Sequence, residues 1–242
     1  DAPFLASLPD LGPLTAGFPS STSISLASLG TGGDFRGTYA MGDLAAGVVA
    51  ATAGPGRQLC YGYHRDLDAL GHVYGPGSLP WRLQLAQVDR LAENVAGRLP
   101  PDAVLAVTGD HGMVAVDRRF DVDTDPALSD GVAAVSGDPR ARHLHVLPGA
   151  REDVLAAWRG VLGDGAWVVT GEQAVADGWF GLPVAPRARE RIGDVVVAAR
   201  GGTAVIRSQA EHFLSRIPGQ HGSLTPEEQL VPLLLAPVGS TG

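Results

Sequence analysis

The chain has 242 residues, 45% hydrophobic and 18% charged, which suits a globular protein of one large domain or two small ones with a real core. Its formal net charge is -8, and no Lys/Arg-rich stripe is present to track a phosphate backbone, so nucleic acid is excluded as an expected partner. No uninterrupted apolar segment reaches bilayer-spanning length, which argues against a membrane partner, and the one cysteine, Cys60, can form neither an internal disulfide nor a cysteine metal site.

Residues Asp1 to Phe18 read as an irregular approach with one helical turn at Phe4 to Leu8. The start does not resemble a signal peptide, which leaves the cytoplasm as the expected compartment. A chain beginning Asp1-Ala2-Pro3 without an initiator Met is expected to have lost residues upstream. In Phe18-Pro19-Ser20-Ser21-Thr22-Ser23-Ile24-Ser25, hydroxyl residues crowd the start of a short helix whose apolar face is Ile24, Ala27 and Leu29. Such hydroxyls are good N-caps, and one of them can also be a nucleophile facing an anion held by the helix N-terminus.

Met41 to Ala53 reads as a helix closed by Gly54-Pro55-Gly56, and Arg57 to Tyr63 as a strand that includes Cys60 as a small buried hydrophobe. Beyond it, Asp68 and His72 are four residues apart, a spacing that puts both on one face of a helical turn within reach of one cation. His64 and Asp66 are rival ligands of lower rank. Pro80 to Leu99 is the clearest helix, with Leu85, Val88, Ala92, Val95 and Leu99 inward and Asp89, Arg90, Glu93 and Asn94 outward.

The apolar run Ala103 to Val107 is a buried strand that ends at Asp110-His111. Neighbouring strand residues point to opposite faces, so both side chains can serve one site only where the backbone turns, and Gly109 and Gly112 permit that. Strand, helix, strand is the alternation of a parallel α/β sheet. Asp121, Asp123 and Asp125 imitate a calcium loop, but Pro126 stands where an EF-hand needs Gly and no Glu closes the loop.

Arg142 to Leu147 reads as a strand with His143 and His145 on one exposed face. Glu152 to Val161 is a helix followed by a paired strand at Ala166 to Thr170, and Gly171 to Gly178 is a short helix with Trp179-Phe180 packed at its end. Ile192 to Arg200 and Thr203 to Arg207 read as a hairpin through Gly201-Gly202. His221 lies between glycines in an exposed loop, which suits a ligand better than a core histidine. Thr225, Pro226 and Glu228 then form a capping-box signature before the run Leu230 to Leu235, which Pro232 pushes toward a strand.

Together these segments offer a hydroxyl at a helix start, Asp68 with His72, Asp110 with His111, and His221. Oxygen and nitrogen donors without thiolate suit Zn2+, or Mn2+ in a more oxygen-rich site. The number of donors suits two metals, which in such centres lie about 4 Å apart and assist an in-line displacement.

Four segments resemble the alkaline phosphatase superfamily and, within it, the type I phosphodiesterase/nucleotide pyrophosphatase family. They are Phe18-Pro19-Ser20-Ser21-Thr22 with Thr31-Gly32, Asp68-Ala69-Leu70-Gly71-His72 with Gly75-Pro76, Gly109-Asp110-His111-Gly112-Met113, and Gln220-His221-Gly222. The resemblance implies a three-layer α/β/α sandwich with a mostly parallel central sheet, here lacking its first strand. It implies one domain over 1–242, with 120–207 as a smaller subregion. Thr22 would attack phosphorus to give a phosphothreonine that water hydrolyses; Asp68, His72 and His221 would hold one metal, and Asp110 and His111 the second.

The substrate would be a small phosphodiester or nucleotide. The same constellation serves phosphonoacetate hydrolases and phosphomonoesterases, and a non-catalytic binding descendant is the reading from another class. Two departures bear on this. The family's Asp-Gly motif upstream of the nucleophile is not found, and Ser25 stands where the family has a phosphate-binding Asn. The short path from Thr22 to Asp68, with an abrupt Gly32-Gly33 join, leads us to expect that the natural protein has further residues there.

Overall fold

A computed structural model describes residues 1–16 and 36–236. In chain order its helices are α1 (Pro3–Ser7), α2 (Met41–Thr52), α3 (Asp66–Tyr74), α4 (Leu79–Ala96), α5 (Pro126–Ser129), α6 (Arg151–Leu162), α7 (Gly171–Ala176), α8 (Pro186–Arg189) and α9 (Pro226–Gln229). Its strands are β1 (Leu14–Thr15), β2 (Leu105–Thr108), β3 (Val114–Ala115), β4 (Arg118–Asp121), β5 (Val132–Asp138), β6 (Ala141–Val146), β7 (Ala166–Thr170), β8 (Val195–Ala199), β9 (Thr203–Ile206), β10 (Gly219–Gln220), β11 (Leu230–Val231) and β12 (Leu233–Ala236). The fold is mixed α/β and forms two compact units. No described helix is long and apolar enough to cross a membrane.

The described residues of the first unit are 1–14, 36–109 and 231–236. Its spine is α4, which Ser78 caps by accepting the Trp81 N–H at 3.4 Å and which buries Ala92 and Val95. α1, α2 and α3 pack on it. Asp89 was expected outward but is 3% exposed. Its two carboxylate oxygens accept the backbone N–H groups of Leu5 at 2.7 Å and Phe4 at 3.2 Å, donors that the first turn of α1 leaves without intrahelical partners. The polar residue is drawn inward by another helix's unmet donors.

β2 pairs antiparallel with β12, from Thr108 opposite Leu233 to Leu105 opposite Ala236. Pro232 carries no N–H and divides the C-terminal apolar run into β11 and β12, so that run forms two short strands rather than a helix. The segment 57–63 is not a strand. Leu59 is 99% and Tyr61 50% exposed, so its apolar composition does not correspond to burial on two faces. Cys60 is half-buried.

The described residues of the second unit are 15–16 and 110–230. A four-stranded antiparallel sheet in the order β5-β6-β8-β7 separates two apolar layers. Val195 and Val197 of β8 face a core with Leu144, Val154, Leu155, Trp158 and Leu162, supplied largely by α6. Val196 and Ala198 face Ala141, Ala174, Trp179 and Phe180. This two-sided burial explains the unbroken Val-Val-Val-Ala-Ala run of β8. Trp158 is completely buried and donates its indole N–H to the Leu128 carbonyl at 3.1 Å.

The expected hairpin between β8 and β9 does not form. β8 already has β6 and β7 on its two edges, so the chain turns at Gly201 and β9 pairs in parallel with β4. Asp121 and Asp123 form no cation loop: Asp121 accepts from the Ser208 hydroxyl and N–H, and Asp123 from the N–H groups of Gln209 and Ala210. The His143 face is also not exposed. His143 accepts the Gly193 N–H at 3.2 Å and its ring centroid lies 5.7 Å from that of Phe180.

Candidate functional site

In the first unit the expected ligand pair sits on α3. Asp66 and Asp68 occupy its first turn, where a negative charge is favoured by the helix dipole, and Gly75 at φ 87° ends it. Asp68 Oδ1 and His72 Nε2 are 3.5 Å apart, one helical turn from each other and both about a quarter to a third exposed. The rival His64 accepts from the Gln84 side-chain amide at 3.0 Å, and Asp66 is more exposed than Asp68.

In the second unit three expected ligands come together. His111 Nε2 lies 3.7 Å from Asp110 Oδ2, and the His111 side chain is only 3% exposed. His111 Nδ1 is 3.0 Å from the Gly112 carbonyl oxygen, an atom that can only accept, which puts the proton on Nδ1 and the lone pair of a neutral ring on Nε2. The ring stacks on His221 at 3.7 Å between centroids and 20° between planes. Two imidazoles from segments far apart in sequence thus share one spot.

The surrounding backbone explains this convergence. β3 and β10 pair with Val114 opposite Gln220, so a short ladder joins the residues just after His111 to those just before His221. The Gly112 N–H donates to the Glu228 carbonyl at 2.8 Å. Gly112 is required by close approach rather than by its dihedral angles, because a Cβ there would collide with the Glu227 carbonyl. Gly222, by contrast, has φ 132°, which disfavours any L side chain. The His221 segment is not the exposed loop expected: Gln220 is 3% exposed, Ser223 not at all.

Thr22 and Ser25, the expected nucleophile and phosphate-binding residue, lie outside the described residues. Sequence reasoning missed Arg140 and Glu228, both with no exposed surface. Arg140 donates to Glu228 through Nε at 3.0 Å and Nη2 at 2.6 Å. Glu228 further accepts the Ser223 N–H at 3.0 Å and the Thr225 hydroxyl at 2.6 Å. The Thr-x-x-Glu signature was visible, but Glu228 turns its carboxylate to Arg140 and the hydroxyl rather than closing a capping box, and Thr225 makes no side-chain cap bond. Arg140 lies in the turn between β5 and β6, and an arginine there gives no sign in the sequence that it is buried.

The donor chemistry fits divalent cations: carboxylate oxygens and imidazole nitrogens, no sulfur, and a His111 tautomer fixed by a backbone carbonyl as metal-ligating histidines usually are.

A family model described as type I phosphodiesterase/nucleotide pyrophosphatase matches residues 40–224. Murine ectonucleotide pyrophosphatase/phosphodiesterase 5 is 19% identical with a TM-score of 0.66, covering 83% of this chain and 53% of its own. It has also been solved as an inactive threonine-to-alanine form in complex with AMP. The human protein is 17% identical with a TM-score of 0.67, covering 85% and 54%. Phosphonoacetate hydrolase from Sinorhizobium meliloti 1021, solved with phosphonoformate, is 23% identical with a TM-score of 0.54, covering 72% and 45%. No curated protein matches the chain, which spans about half the length of these solved structures. A family model that covers most of the chain decides the assignment: the chain belongs to the type I phosphodiesterase/nucleotide pyrophosphatase family, within the alkaline phosphatase superfamily.

Proposed function

We propose that the chain is the core of a metal-dependent hydrolase of phosphodiester or nucleotide pyrophosphate bonds, working through a phosphothreonine on Thr22. The observation that carries this reading is the stacked His111–His221 pair beside Asp110, within a chain whose family match spans the same segments. Asp68, His72 and His221 would hold one divalent cation and Asp110 with His111 a second, Zn2+ being the best fit to the donors and Mn2+ the next. When bound, such cations lower the pKa of a coordinated hydroxyl and stabilise charge on the leaving oxygen. The protein's own part is to hold the imidazole lone pairs and carboxylates in place and to present the Thr22 hydroxyl in line with the leaving group.

We read the complete domain as a three-layer α/β/α sandwich with a mostly parallel central sheet whose first strand is absent from this sequence, and 120–207 as a subregion within it. The substrate is then a small phosphodiester or nucleotide; the AMP held by the murine relative supports the nucleotide form, and the threonine change in that inactive form supports a threonine nucleophile. The phosphonoacetate hydrolase likeness supports a second reading, cleavage of a small phosphonate or phosphomonoester at the same residues. Assay of the full chain with bis-nitrophenyl phosphate, the mono-ester and phosphonoacetate divides the readings. The first predicts a clear preference for the diester and its loss in Thr22→Ala. Unchanged hydrolysis by Thr22→Ala would remove the nucleophile assignment, and no hydrolysis of any of them would favour a binding descendant.

A further inference from the structure

We propose that the buried Arg140–Glu228 pair is a positioning device that locks the His111 and His221 segments to each other. The proposal rests on reading those two histidines as metal ligands. Glu228 touches both segments with different atoms: its carbonyl oxygen accepts the Gly112 N–H at 2.8 Å, and its Oε1 accepts the Ser223 N–H at 3.0 Å. These residues are the immediate neighbour of His111 and the second residue after His221. The β3–β10 ladder adds a second tie, through Val114 after His111 and Gln220 before His221, so His221 has a fixed point on either side and His111 has two within four residues after it.

Arg140 fixes Glu228 in turn. Two parallel N–H···O bonds set the carboxylate plane, and the same guanidinium donates to the carbonyls of Gly201 at 2.8 Å, Ala199 at 3.4 Å and Thr203. These acceptors belong to β8, β9 and the turn between them, the rigid core of the second unit. Ser223 reaches the same framework, its hydroxyl donating to the Ala199 carbonyl at 2.5 Å. The Arg140 Cβ also sits 3.5 Å from where a Cβ of Gly222 would lie, so the turn after His221 rests on the stem of the arginine. A chain of contacts therefore runs from the sheet through Arg140 and Glu228 to both histidine segments.

A second buried arginine supplies the control. Arg142 is equally enclosed and pairs with Glu211 at 3.0 Å and 2.6 Å, but its other bonds go to the Gly137 and Val205 carbonyls, away from either histidine. A merely structural role for buried ion pairs predicts the same behaviour from both.

The test compares Arg140→Met/Glu228→Leu with Arg142→Met/Glu211→Leu in the full chain, each double change avoiding a buried unpaired charge. Amide hydrogen exchange of the metal-free protein is read over 110–116 and 219–225, and Zn2+ affinity is read by titration. The expected result is exchange at least about tenfold faster in both segments and Zn2+ binding about 10–100-fold weaker for the first variant only, as for loss of a group that orients a ligand. Equal effects from the two variants, or unchanged exchange in the first, would overturn the proposal. If the wild type takes up no Zn2+, the metal reading fails while the exchange data still decide the positioning role. Should the first variant not fold, Glu228→Gln, which keeps the shape and loses the charge, is read by exchange in the same way.

Discussion

Replacing Gly112 with alanine puts a methyl carbon into the Glu227 carbonyl group, 3.0 Å from its carbon and closer still to its oxygen, with the Glu228 Cα at 3.4 Å. All three neighbours are backbone, so no side chain can swing aside and one of the two segments has to move. Overpacking of this kind costs about 1–3 kcal/mol. The shift also stretches the Gly112 N–H···O bond to Glu228, now 2.8 Å, whose net worth is about 0.5–1.5 kcal/mol. The sum is about 1.5–4.5 kcal/mol, which at a urea slope of about 2–3 kcal/mol/M lowers the midpoint by about 0.5–2 M. Gly160 provides the opposite sign for the same chemical change. It lies within α6 with nothing within 4 Å of a Cβ, so Gly160→Ala stabilises by about 0.5–1 kcal/mol. Urea titration of both variants checks this, and a Gly112→Ala midpoint at or above that of the wild type would refute the close-approach argument.

Asp89→Ala strips the acceptor from two N–H groups of α1 and is expected to cost about 1–3 kcal/mol, with faster amide exchange at Phe4 and Leu5 as the local readout. Burial, helped by the charge of His145, pushes the His143 pKa below 6.5. The folded state then binds fewer protons than the unfolded one, so the His143 contribution is complete above pH 6.5 and is lost as pH falls through the lowered value. His143→Gln should flatten the stability profile below pH 6.5, and an identical slope in both proteins would point to another group. Burial raises the Asp121 pKa, but hydrogen bonds from Ser208, Thr124 and the Asp123 N–H outweigh it and hold the group below 3.8. Ser208→Ala should therefore raise the Asp121 value, read from its carboxyl carbon shift against pH. That contribution to stability is present above pH 3.8 and disappears on further acidification.

Regular periodicity made α4 and α6 legible, because a helix that buries one stripe writes that stripe into the sequence. Asp68 and His72 were legible for the same reason: a four-residue spacing fixes proximity once the helix exists. The segment after β2 was legible as a place where both side chains could turn to one side. Partners across long sequence separations were not legible. Nothing near Thr203 says that β9 leaves β8 for β4; that follows from which sheet edges are already taken. Asp89 looked like a solvent-facing residue because its acceptors serve donors more than eighty positions away. Arg140 and Glu228 were hidden likewise, since a charged residue reveals its burial only through the partner that makes burial affordable.

Metal analysis of the purified full chain tests the central claim most directly. Two divalent ions per chain are predicted for the wild type, with His221→Ala and His111→Ala each giving a lower content. Wild-type protein that takes up no divalent metal, or a content unaffected by either change, would contradict the account.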